Sequence, residues 1–119
     1  MSQSQFDRPL YEVKAGLFQG LSHPLRIRLL ELLADGDEHG VGELQEATGL
    51  EASHLSQHLG VLRRQRLVVS ERRASNVYYR LAYPEVAELL AVARGLLGSI
   101  IAGDLARAAE IASLPELPR

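Results

Sequence analysis

Leucine spacing between Val41 and Val69 leaves this chain little choice of local structure. In VGELQEATGLEASHLSQHLGVLRRQRLVV, Leu55, Leu59 and Leu62 recur at i, i+4 and i+7, one stripe of an α-helix that has to face inward. At about 100° per residue, Ser53, Gln57, Gly60 and Arg64 fall on the opposite side, with His54 and Val61 beside them. Val41, Leu44, Ala47 and Leu50 give a shorter preceding helix an apolar side on which the longer one can rest, and Gly49 supplies the tight turn between the two. The predicted motif is a helix-turn-helix. The outer face of its second helix carries hydroxyls, an amide, an arginine and small residues, and no carboxylate after Glu51. Base edges and phosphates require that chemistry, and an acidic face would repel them.

The net charge of −2 conceals an asymmetry. From Glu51 to Arg80 six arginines (Arg63, Arg64, Arg66, Arg72, Arg73, Arg80) stand against Glu51 and Glu71, while the rest of the chain is acidic. A basic segment that coincides with the helix-turn-helix is the footprint expected of a small DNA-binding module. A length of 119 residues allows one domain. The absence of cysteine excludes disulfides, thiolate metal sites and thiol redox switches. No apolar run is expected to approach the roughly 18 residues of a membrane span. MSQSQFDRP lacks the basic-then-apolar order of a signal peptide, so a cytoplasmic location is expected.

Along the chain, residues 1–8 are expected to be flexible. A helix is predicted from Pro9, with Leu10, Val13, Leu17, Phe18 and Leu21 at helical spacing. Gly16 and Gly20 weaken it, so it needs a packing partner. Ser22-His23-Pro24 breaks the chain and restarts it, His23 as cap and Pro24 as first residue of a second helix. Leu25, Ile27, Leu29, Leu30, Leu32 and Leu33 make that helix the central core element. Asp35 to Gly40 reads as a loop. After the helix-turn-helix, Leu67–Val69 and Val77–Leu81 read as two strands joined by a basic turn, Arg72 to Asn76. This hairpin is a wing whose arginines would reach phosphates or the minor groove. Tyr78 and Tyr79 alternate across it, so at most one can enter the core.

Pro84 opens the last helix, on which Val86, Leu89, Leu90, Ala93, Leu96, Leu97, Ile100 and Ile101 form a wide apolar stripe. About 20 residues span roughly 30 Å, more than a core of this size has to cover. The first and last helices are therefore expected to pack against their copies in a homodimer, through Leu10, Val13, Leu17, Leu89, Leu90, Ala93, Leu96, Leu97 and Ile100. The predicted fold is mainly α with a small β-hairpin wing, in the order α-α-α-α-β-β-α. The predicted domain covers residues 9–104, and an Ala-rich tail, 105–119, can extend the helix until Pro115.

These segments together resemble the ArsR/SmtB bacterial winged-helix repressors. The resemblance covers about residues 10–101 and rests on LSHPLRIRLLELL (Leu21–Leu33), GLEASHLSQHLGVLRRQRLV (Gly49–Val68) and VYYRL (Val77–Leu81). Ser56, His58, Leu59, Val61, Leu62 and Arg63 match the family pattern residue by residue. The resemblance implies a homodimer that binds an inverted-repeat operator through paired recognition helices in successive major grooves. Two departures stand out. Where many members carry a metal-sensing Cys-x-Cys, this chain has Gly40 and Gly42. Between Pro84 and Ile101 it has neither the His nor the Asp that other members use. Glu51 stands where a helix-start Ser is usual, and the wing tip has Ala74-Ser75-Asn76 in place of the common glycine.

The expected DNA contacts are Ser53, His54, Ser56 and Gln57 near base edges, and Arg63, Arg64, Arg72 and Arg73 at phosphates or the wing. His54 and His58, one turn apart, are expected to contact DNA and to fill a helix–wing junction rather than to hold a metal. Asp35, Asp37 and His39, beside Glu38, are the remaining candidate ligands for a divalent ion such as Ni²⁺ or Zn²⁺. No cofactor is otherwise implied. No nucleophile elbow, phosphate loop or His–acid pair points to an enzyme. The expected partners are double-stranded operator DNA, a second copy of the chain, and an effector protein or small molecule. The rival class is a winged helix that serves as a protein-interaction module, and a metal-responsive regulator with a non-standard His/Asp site is the other alternative.

Overall fold

Pro24, Gly49 and the turn after Arg73 punctuate the chain into short elements around one leucine core. The structure, a computed structural model, describes residues 8–115. The flexibility expected of residues 1–7 lies outside the described residues. The order is α1 (Leu10–Gly20), α2 (Pro24–Leu32), β1 (His39–Gly40), α3 (Val41–Thr48), α4 (Ala52–Arg64), β2 (Val68–Arg73), β3 (Asn76–Leu81) and α5 (Glu85–Ser113). Contacts divide the chain after Ala87 into two units.

In the first unit, α2 packs on both α3 and α4, and α4 packs on β2. Leu29, Leu30, Leu33, Leu44, Leu55, Leu59, Leu62 and Val68 are each less than 2% exposed. The predicted stripe of α4 is thus the floor of the core, and each such leucine contributes about 1.5–3 kcal/mol by burial. His23 caps α2 as expected, its Nδ1 accepting from the Leu25 N–H at 3.1 Å. Gly49 ends α3 in the left-handed region (φ 70°), which a side chain would strain. Ala47, expected on the inner side of α3, is exposed.

The sheet departs from the predicted hairpin in two ways. A third strand, β1, lies where a loop was expected, giving the antiparallel order β1-β3-β2, with His39 opposite Tyr79 and Gly40 opposite Tyr78. The strands β2 and β3 also run further, to Arg73 opposite Asn76, so the turn is only Ala74-Ser75 and Arg72 and Arg73 lie on the strand. Neither Tyr78 nor Tyr79 is buried; both are half-covered.

The second unit is the body of α5. The helix runs through the expected 104/105 boundary to Ser113, and its 29 residues reach about 44 Å. From Ala91 onward every described residue except Gly103 is exposed. An 18-residue window of α5 has a mean hydropathy of 1.7, long and apolar enough to cross a membrane by length and composition. That corrects the expectation of no such run, which counted unbroken apolar residues: Arg94 and the glycines break the run, while the valines, leucines, isoleucines and alanines around them keep the mean high.

Candidate DNA interface

Ser53, His54, Ser56 and Gln57 are all exposed on the first two turns of α4, because Leu55 and Leu59 between them are anchored in the core. Glu51 occupies the N-cap position without a side-chain cap bond. Gly60, on the same face as Gln57, leaves room for the Arg64 guanidinium to fold back; its Nη1 lies 3.3 Å from where a Cβ would stand. Arg63 and Arg64 complete the last turn, where cations suit the negative end of the helix dipole.

His58 departs from the expected position. Its ring lies 4.4 Å from that of His23 at the start of α2, so its observed neighbour is α2. Burial pushes its pKa below the ordinary histidine value, and His23, Arg26 and His54 push the same way. Which element His58 would meet depends on the packing of α2 against α4, which local spacing does not carry. Arg26 is half-buried, and its Nε donates to Gly20 O at 2.7 Å.

On the wing, Arg72 is exposed. Arg73 is engaged within the chain: its Nη1 donates to Glu38 Oε1 at 3.2 Å and its guanidinium carbon sits 4.1 Å from the centre of the Tyr78 ring. Sequence reasoning missed both partners, since Glu38 is 35 residues away.

Of the candidate metal ligands, Asp35 and His39 meet but Asp37 does not join them through its side chain. Asp35 Oδ1 and Oδ2 lie 2.9 and 2.8 Å from His39 Nε2, and Glu43 faces Nδ1. Each ring nitrogen thus already has a carboxylate. Among the described residues no group of three or more His, Asp or Glu is arranged to hold a metal ion. Beside this cluster a cleft of about 500 Å³ opens between α3 and the wing tip, lined by Gly40, Gly42, Glu43, Ser75, Asn76 and Tyr78 among others.

The expected dimer residues divide by exposure. Leu10 is 67% exposed and Leu17 is partly open, whereas Val13, Leu89 and Leu90 are half-covered. Ala93, Leu96, Leu97 and Ile100 are exposed. Tyr11, Phe18, Ile101, Leu105 and Ile111 add exposed apolar surface that the sequence reading left out of the dimer set.

A helix-turn-helix followed by an antiparallel wing, with a carboxylate-free outer face on its second helix, defines a winged helix-turn-helix regulator of transcription. The sequence profile described as "Bacterial regulatory protein, arsR family" matches residues 23–70. The HTH-type transcriptional regulator Rv0081 of Mycobacterium tuberculosis is 50% identical over 99 residues, covering 82% of this chain and 86% of that protein. Its crystal structure matches 82% of this chain and 98% of its own at a TM-score of 0.75. A biofilm growth-associated repressor of Xylella fastidiosa is 38% identical over 90 residues, 76% of this chain and 77% of its own. The solution structure of the homodimeric winged helix-turn-helix domain of Mb0332 from Mycobacterium bovis matches with a TM-score of 0.68 at 30% identity, covering 82% of this chain and 90% of that one. The chain belongs to the ArsR family of bacterial regulatory proteins.

Proposed function

We propose that the chain is a dimeric, sequence-specific repressor that binds an inverted-repeat operator in the cytoplasm. The observation that carries this reading is the outer face of α4: Ser53, His54, Ser56 and Gln57 are exposed together on a helix whose other side is locked into the core. Gln57 suits a bidentate contact to adenine, and Ser53, His54 and Ser56 suit neighbouring edges. Arg63, Arg64, Arg72 and Arg73 are assigned to phosphates. The exposed apolar residues of α1 and α5 support pairing with a second copy, as in the homodimeric relative. With no thiol in the chain and no group of three or more His, Asp or Glu arranged to hold a metal among the described residues, the regulating signal is assigned to an organic small molecule or a partner protein. An unusual His/Asp metal site stays the alternative that the metal additions below test.

The test is fluorescence anisotropy on the chain's own upstream DNA and on random duplex at several salt concentrations, with chelator and then with Zn²⁺ or Ni²⁺. Site-selective binding is expected, unchanged by metal. Gln57→Ala should cost about 1–3 kcal/mol on the cognate site and relax its specificity; equal losses on both DNAs would sink the base-readout assignment. Arg73→Ala should weaken all sequences alike and lower the salt slope by about one. The bare apolar length of α5 also favours a second reading, a protein-recruiting module, which an absence of site preference at low salt would make the better account.

A further inference from the structure

Arg73, the last residue of β2, is held from two sides by groups outside that strand. Glu38 accepts its Nη1 proton at 3.2 Å, and the ring of Tyr78 lies 4.1 Å below the guanidinium carbon. The short strand β1 explains the meeting. Because Gly40 pairs with Tyr78, the carboxylate two residues upstream arrives beside the wing, although it is 35 residues from Arg73 in the chain. The Arg73 side chain remains 50% exposed. Its neighbour Arg72 points to the other face of β2 and takes part in no ion pair among the described residues.

We propose that Glu38 is an internal competitor for backbone phosphate: it occupies Arg73 in the free protein and yields it to DNA, which lowers the affinity of the wing for any duplex. This rests on the reading of Arg73 as a phosphate contact. Carboxylate and phosphate oxygens both accept guanidinium N–H bonds, and Glu38 holds the Nη1 donor and offsets the charge of Arg73, so a phosphate meets a weaker cation until it displaces the carboxylate. The Tyr78 contact uses the face of the guanidinium and leaves the edge free, so the ring can hold Arg73 in place while its anion is exchanged. An ion pair this exposed is weak, which sets a small, reversible brake rather than a block.

The experiment is a double-mutant cycle read by anisotropy on random duplex at fixed salt, using the full chain. Glu38→Gln should tighten binding about two- to five-fold where Arg73 is present, the range of an exposed ion pair, and leave the affinity of the Arg73→Ala protein unchanged. Equal tightening in both backgrounds would show that Glu38 acts only through its general field and would overturn the proposal, as would weaker binding by Glu38→Gln. If Arg73→Ala binds as well as the parent, the phosphate assignment itself fails, an outcome separable from failure of the brake alone. Thermal unfolding of each variant verifies the fold, and Glu71→Gln on the same wing measures the effect of removing an acid that makes no ion pair with Arg73.

Discussion

His39 sits four residues after Asp35 and four before Glu43, and each of its ring nitrogens faces one carboxylate. An imidazolium has an N–H for both, a neutral ring for only one. Glu43 first, and Asp35 after it, hold the His39 pKa above the ordinary histidine value, while His39 draws that of Asp35 down. A raised folded-state pKa makes the contribution complete below about pH 6.5, and it is lost as pH rises through the folded value. The lowered Asp35 works at the other end, where its share is lost only as pH falls through the carboxylate range. The stability difference between the parent and His39→Gln in urea unfolding should therefore be largest between the carboxylate range and the ordinary histidine value, and shrink as pH rises past the folded His39 value; a difference that grew with pH would contradict the assignment. None of this geometry was legible in the sequence beyond the presence of the acids. The i−4 and i+4 spacing of His39 has helical form, yet β1 interrupts it, so only the fold shows that both carboxylates reach one ring.

Helix ends carry the next scale. After α4, the Leu67 N–H bonds to Leu62 O at 3.0 Å and the Arg66 N–H to Arg63 O at 2.9 Å, the paired bonds of a Schellman close. The residue that such a close places in the left-handed region is usually glycine, and here it is Arg66 at φ 63°. Arg66→Gly should accordingly raise stability by about 0.5–1 kcal/mol, measured by thermal unfolding, since relief of the Cβ clash outweighs the added freedom of the unfolded chain. A loss of stability would mean that the arginine side chain contributes more than its backbone costs. At this scale the sequence was informative where a period repeats. The leucines of α4, the proline of α2 and Gly49 each follow from a local rule, and all three elements are present. β1 escaped because two residues, one of them glycine, show no alternation; it exists only because Tyr78 and Tyr79 offer a strand edge. Arg72 and Arg73 read as turn residues because polar composition mimics a loop, while pairing across the hairpin decides how far the ladder runs.

For the whole molecule, the decisive surface is α5. The core of the first unit is complete without it beyond Val86, yet Val92, Leu96, Leu97, Ile100, Ile101, Leu105 and Ile111 are between 49% and 69% exposed. Apolar surface on that scale marks an interaction site, and a second copy is the partner that the homodimeric relative supports. In the proposed dimer, two recognition helices would make the second half-site contact intramolecular, worth about 10²–10⁴ in apparent affinity. Leu97→Glu combined with Ile100→Glu places carboxylates on the same apolar stripe, three residues apart, both at exposed positions. Light scattering after size exclusion should find the parent dimeric and the double variant monomeric. Operator affinity of the variant should fall by about 100-fold or more, while the far-ultraviolet spectrum and the unfolding of the winged unit persist. A variant that stays dimeric would move the interface off this stripe of α5. A monomer that binds the operator as tightly as the parent would instead show that one winged helix carries the whole of the recognition.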